Sequence, residues 1–266
     1  VLESLLPMTI DPQNIARVLD VPCRLGYWAD ALAHAYPHMH VIALDNDPDH
    51  IAAIQQRTNH PDNIYFEASD LEQFPQQRKY KFDLIHVDAP LVFRPPQGWD
   101  YFLVQCRHQL KRGGLINLVS IVPGMGSSDA YQHIVYLARQ WESRASLGKT
   151  STRETLVSKT PTRGVFPGAD QTSGTDRTPG ATTFCNLLKQ AGFTHIRYTL
   201  HPIDLSGQVY QRFLDSTILE IKQSLYDAQL TNKEELTSLL LDKKQQTNDM
   251  YFCAMGMIIS ILAQKS

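Results

Sequence analysis

Cysteine is scarce in this chain. The four thiols, Cys23, Cys106, Cys185 and Cys253, are scattered over 266 residues with no C-x-x-C pair. That spacing suggests neither a zinc site nor a disulfide framework, and it fits a reducing, cytoplasmic compartment. Charge of one sign is not in excess either. Lys plus Arg number 25 against 27 for Asp plus Glu, giving a net charge of -2, so no global attraction to nucleic acid or an anionic membrane is expected. Long apolar runs are missing too. The longest, ending at Ala263, is too short to span a bilayer, and the opening VLESLLPMTIDPQ lacks the basic stretch of a signal peptide. Because the chain opens on Val1 rather than Met, a segment upstream of it is expected.

What is present is an ordinary globular composition, 42% hydrophobic and 20% charged. A chain of this length can bury roughly three quarters of its unfolded surface. Periodicity predicts strand (16–21), helix (27–36), strand (41–44), helix (48–56) and strands at 64–67 and 82–87. A helix over 101–110 and a strand over 115–122 after a Gly113-Gly114 turn follow. Alternation of apolar strands with helices implies a parallel sheet covered on both faces, an α/β fold.

Residues 143–182 interrupt this pattern, with 22 of 40 positions Ser, Thr, Gly or Pro, and read as a polar loop or lid between a core at 1–142 and a return to the sheet at 183–266. In that last part TTFCNLLKQAGF is a helix stopped by Gly192, followed by a strand over 193–200. A helical cap is expected over 203–248, begun by an amphipathic helix carrying Val209, Phe213, Ile218, Ile221 and Leu225 on one face. A second cap helix starts at a Thr231/Glu234 capping box. The final apolar run lacks a following helix and is expected to close a seven-stranded mixed sheet as its one antiparallel member.

The chemistry gathers where strands meet helices. The first strand ends at Asp20 and turns directly into a helix, the place where nucleotide-like ligands lie in an open parallel sheet. The second ends in ALDND, placing Asp45 to accept from two ribose hydroxyls, and the third is followed by ASD, bringing Asp70 to the same crevice. No G-x-G-x-x-G run is present, which argues against a nicotinamide dehydrogenase.

These segments together resemble the class I S-adenosylmethionine-dependent methyltransferases, in particular the small-molecule group with a Trp after the glycine loop. RVLDVPCRLGYWADALAHAYP is similar to the family's first strand, loop and helix; HVIALDND and NIYFEASDL are similar to its ribose and adenine segments; and KFDLIHVDAPL, LKRGGLINLV and LLKQAGFTHIRY are similar to later strands and helices. The resemblance implies a Rossmann-like fold and S-adenosylmethionine as cofactor, with S-adenosylhomocysteine as product. It implies cofactor-binding roles for Asp20, Pro22, Cys23, Arg24 and Gly26 in the loop, for Asp45 and Asn46 at the ribose, and for Ser69, Asp70 and Leu71 beside the adenine. The family loop is D-x-G-x-G-x-G. Here it runs from Asp20 to Gly26 with Pro22 and Arg24 standing at two of its glycines.

The fourth strand ends His86-Val87-Asp88-Ala89-Pro90-Leu91, which completes neither the D-P-P-Y of nucleobase nitrogen methylation nor the D-A-P-C of RNA cytosine methylation. Asp88 is the candidate acceptor for a proton near the reacting methyl, with His86 as an alternative base on the same side of the strand. The resulting expectation is methyl transfer to a small molecule, with Phe166, Tyr210, Phe213 and Tyr251 available for an apolar pocket. The rival is a protein of this fold without methyl transfer, serving binding or another reaction such as a rearrangement. His34, His38 and His40 read as a surface cluster rather than a metal site.

Overall fold

The computed structural model describes residues 5–57, 59–69, 80–89, 95, 97–145 and 181–266. The elements follow in the order β1 (Arg17–Asp20), α1 (Tyr27–Ala35), β2 (His40–Asp45), α2 (Pro48–Gln55), β3 (Ile64–Ala68), β4 (Phe82–Asp88), α3 (Gly98–Gln109), β5 (Leu110–Gly126) and α4 (Asp129–Ala145). Then come α5 (Ala181–Gln190), β6 (Phe193–Asp204), α6 (Gln208–Glu220), α7 (Lys222–Asp227), α8 (Lys233–Thr247) and β7 (Ala254–Lys265).

The strands form a seven-stranded sheet in the order β3-β2-β1-β4-β5-β7-β6. Pairings from β3 through β5 are parallel, and β7 is antiparallel to both β5 and β6. The expected mixed sheet with one antiparallel strand is therefore present. The order reverses between β1 and β4, which opens a crevice at the carboxyl ends of these strands.

Strand alternation sends Leu19, Ile85 and Ile261 to one face, where Trp99 and Phe102 of α3 and Phe184 and Leu188 of α5 cover them. Val18, Val41 and Leu84 go to the other face, under Leu32 of α1 and Ile54 of α2. Central strands buried on both faces are why the sequence reads there as continuous apolar runs. A third cluster joins Tyr131 and Ile134 of α4 to Leu214, Ile218, Leu225 and Leu236 of α6 to α8, and to Leu205, Phe252 and Ala254 at strand ends.

Several expectations need correction. The Gly113-Gly114 pair is no turn before the fifth strand but an irregularity inside β5, where pairing with β4 jumps from Phe82–Leu110 to Leu84–Leu115. Glycine is required there: Gly113 has φ +77°, and a Cβ on Gly114 would lie 2.9 Å from the Lys111 carbonyl oxygen. The polar loop is shorter than expected, because 143–145 continue α4 and 181–182 open α5, while its remainder lies outside the described residues. Cap helices begin at Gln208, since β6 runs on to Asp204, and α4, which periodicity did not single out, packs with them. The anticipated single amphipathic helix breaks at Ile221 into α6 and α7. The cap of α8 is Asn232, whose side chain accepts from the Glu235 amide, one position later than the Thr231/Glu234 box. All four cysteines are free, and no helix among the described residues is long and apolar enough to cross a membrane.

Candidate cofactor and acceptor site

The loop after β1 is pinned to both neighbouring strands. Val21 donates its amide to the His86 carbonyl at 3.0 Å, and Cys23 donates to the Leu44 carbonyl at 2.7 Å. Gly26 then donates to the Cys23 carbonyl at 2.7 Å, closing a turn into α1. Gly26 stands at φ +67°, and a Cβ there would sit 2.5 Å from the Phe66 ring, so the last family glycine is kept by backbone conformation and close packing alike. Pro22 and Cys23 are buried beneath this turn.

Arg24 occupies a left-handed conformation, φ +51°, at a position where the family pattern has glycine. A non-glycine residue there costs about 1–2 kcal/mol. An offset is visible: the Arg24 amide donates to Asp45 Oδ2 at 2.6 Å. The other Asp45 oxygen accepts from the Asp47 amide at 2.9 Å and meets His50 Nδ1 at 3.1 Å. Asp45, 2% exposed, thus ties the loop, its own turn and α2 together. Asn46 is exposed on that turn, and Ser69 is half-buried, donating its amide to the Asp45 carbonyl at 2.8 Å. Asp70 and Leu71 lie outside the described residues.

Asp20, 2% exposed, is a buried carboxyl group without a full set of partners. Its Oδ1 has no hydrogen-bond partner among the described residues. Burial, then the charges of Asp88 and Asp45, raise its pKa well above the usual carboxylate range. Asp88 is pushed up to about 6 by burial, against the opposing pull of the Arg24 charge. Three carboxyl groups from the ends of β1, β2 and β4 therefore converge on one crevice with Arg24 beside them. Burial pushes the Cys23 thiol up as well, so it is not a nucleophile.

His86 differs from the alternative base expected for it. Its ring stacks on Trp28 at 3.8 Å with 12° between planes, and its Nδ1 lies 3.2 Å from the Asn117 amide nitrogen. Burial pushes its pKa down to about 3, so it is neutral at physiological pH and a poor proton acceptor. Of the two residues that hold this ring, Trp28 is the Trp that follows the loop in the sequence, whereas Asn117 was not singled out. The signal available was a lone amide inside the apolar run Ile116-Asn117-Leu118-Val119.

Of the pocket aromatics, Tyr251 is 80% exposed and lines nothing, whereas Tyr210 packs against the α4–α8 cluster. Phe166 lies outside the described residues, as does the Phe213 side chain. His34, His38 and His40 are exposed, and no metal-ligating cluster occurs among the described residues.

Comparison with known proteins agrees with this geometry in the first part of the chain. Residues 18–114 match the family model described as a methyltransferase domain. A Penicillium methyltransferase, grgD, is 36% identical over 93 residues, covering 32% of this chain and 31% of its own length. A malonyl-[acyl-carrier protein] O-methyltransferase from Ilyobacter polytropus is 26% identical over 106 residues, covering 40% of this chain and 39% of its own. The matches thus span only about a third of these relatives. Human N-acetylserotonin methyltransferase, solved with S-adenosylmethionine, aligns with 97% of this chain and 49% of its own at 15% identity and a TM-score of 0.49. The matched segment runs from β1 to the start of β5 and contains the crevice just described, so it is in this part that the chain is similar to a methyltransferase domain.

Proposed function

We propose that this protein transfers a methyl group from S-adenosylmethionine to a small-molecule acceptor. The observation that carries the reading is Asp20, a buried carboxyl with an unpartnered oxygen at the mouth of β1, beside Asp88 and Asp45. A pocket of three carboxyl groups favours a cationic ligand, and S-adenosylmethionine presents an ammonium and a sulfonium.

In this reading Asp20 takes the ammonium group. Gly26 and the Pro22–Cys23 turn allow the backbone to approach the methionine part, and Arg24 lies within reach of its carboxylate. Asp45 and Asn46 face the ribose. One lone pair on Asp45 Oδ2 remains beyond the bond from the Arg24 amide, so the carboxylate can hold the loop and accept a hydroxyl together. Ser69, Asp70 and Leu71 flank the adenine. When bound, the cofactor supplies a methyl group on a positively charged sulfur, an electrophile that needs little chemical activation. The protein then aligns the acceptor in line with that methyl and keeps water out, while Asp88, mostly ionised at pH 7, takes the acceptor's proton. A cytoplasmic setting and a partner list limited to small molecules belong to the same proposal and rest on composition.

Calorimetric titration with S-adenosylmethionine and S-adenosylhomocysteine tests it. Saturable one-to-one binding that weakens about tenfold or more in Asp20→Asn is expected, from loss of a charged hydrogen bond. Absence of binding by either ligand at millimolar concentration in the wild-type protein would overturn it. The rival, a fold member without methyl transfer, is favoured by the side chain at Arg24. A marked gain of cofactor affinity in Arg24→Gly, with no methylation by the parent, would select it.

A further inference from the structure

A row of polar side chains crosses the sheet on the face covered by α1. Asp20 is the register partner of His86, and His86 is the register partner of Asn117, so the three stand side by side on β1, β4 and β5. The Ser260 hydroxyl of β7 extends the row, donating to Asn117 Oδ1 at 3.1 Å. With its oxygen engaged by Ser260, the Asn117 amide turns its nitrogen to His86 Nδ1. An amide nitrogen only donates, so Nδ1 accepts and the ring hydrogen resides on Nε2.

The direction of that hydrogen follows from the sheet order. β4 lies between β1 and β5. Nδ1 faces β5, so the other edge of the ring, which carries Nε2–H, lies on the side of β1, where Asp20 has its unpartnered oxygen; no hydrogen bond joins the two side chains in this structure. Stacking on Trp28 fixes the ring plane, and the Trp28 indole is itself anchored by donation to the Leu5 carbonyl at 3.0 Å.

We propose that His86 is a positioning residue for Asp20: held in its Nε2–H form by the Ser260–Asn117 chain, it presents a neutral donor toward the carboxyl group and favours that group's charged state. The inference rests on the reading of Asp20 as the ammonium site and assigns His86 a role that is neither base nor inert core. The other groups facing Asp20 are Asp88 from β4, Asp45 from β2 and the Cys23 thiol of the loop, and Arg24 acts on this set through Asp88. Both carboxylates oppose ionisation of Asp20. A neutral donor lowers its proton affinity without the burial cost of another charge.

Two measurements on the full chain decide it. Long-range nitrogen–proton correlation spectra of the histidine rings should show His86 in the Nε2–H form and unchanged from pH 8 to pH 5. An Nδ1–H pattern, from an Asn117 amide turned the other way, would overturn the inference before any variant is made. Carbon-detected titration of the Asp20 carboxyl in the ligand-free protein should then move upward by about one pH unit in His86→Phe, which retains the stack on Trp28 but has no donor. Asn117→Leu, which removes the donor to Nδ1 without adding a charge, should release the preference for Nε2–H and move the same titration upward, with S-adenosylhomocysteine binding shifted to higher pH in parallel. An Asp20 titration unmoved in both folded variants would reduce His86 to packing. Failure of the wild-type protein to bind either cofactor form would remove the methyltransferase reading, while the ring spectra and the Asp20 titration would still decide the link between His86 and Asp20.

Discussion

At the scale of single residues, the replacement of a loop glycine by Arg24 is offset by a carboxylate. Asp45 accepts from the amide of Arg24, and in doing so fixes a left-handed residue that has no glycine freedom of its own. Asp88 shows the converse, a residue kept at a cost. Its proton affinity in the folded protein, raised to about 6, exceeds that of an ordinary carboxyl near 3.9, so the folded state binds the proton more tightly than the unfolded state does. Stability from this group is therefore largest below about pH 4 and is lost as pH rises through 6. Asp88→Asn should raise the melting temperature at pH 7.5, by a stability gain of order 2 kcal/mol, and the gain should vanish near pH 4. A constant gain across that range would locate the effect elsewhere. Asp20, Asp45, Asp88 and Gly26 were legible from the sequence because they terminate strands or open a helix. The neutrality of His86 was not, since it depends on burial under Trp28 and an amide 31 residues away.

At the scale of elements, the signals that held were those with a local physical cause. Pro48 after the capping Asp47 starts α2, and Gly192 at φ +87° stops α5, each as the sequence reads. Capping chemistry is where neighbouring candidates compete. Thr231 and Asn232 are both suitable caps, and the backbone selects Asn232, which has the extended conformation and accepts from Glu235 at 2.9 Å. Asn232→Ala should cost about 1 kcal/mol in urea denaturation, while Thr231→Ala should cost no more than a few tenths. The reverse order would restore the Thr231 box. Helix α4 was not singled out for a different reason: its buried positions Tyr131, Ile134, Val135, Leu137 and Ala138 pack mainly against the later cap helices, so most of its partners lie about 80 to 110 residues ahead in the chain.

At the scale of the whole molecule, the chain divides its labour between two ends of the same sheet. Strands β1, β2 and β4 deliver the carboxyl groups, while α4 and α6 to α8 build a helical cluster over the ends of β5, β6 and β7. Within that cluster Lys243, 1% exposed, donates to Asp215 at 2.5 Å and to the Gln211 carbonyl at 3.0 Å, tying α8 to α6. Lys243→Met should lower stability by about 2 kcal/mol, because Asp215 keeps partial access to solvent once its partner is gone. Affinity for S-adenosylhomocysteine should be unchanged in that variant, since among the described residues the cap packs in a cluster of its own that includes none of the three crevice carboxyl groups. Loss of binding in the folded variant would show that the two ends are coupled.

The order of the strands also bears on how the protein is made. β7 follows the other six strands of this sheet in sequence, yet it lies between β5 and β6 and pairs with both along most of their length. Until it emerges, two long strands carrying Ile116, Leu118, Tyr198 and Leu200 must wait with bare edges during synthesis. Slow synthesis of β7 would accordingly prolong the interval in which those edges can pair with other chains.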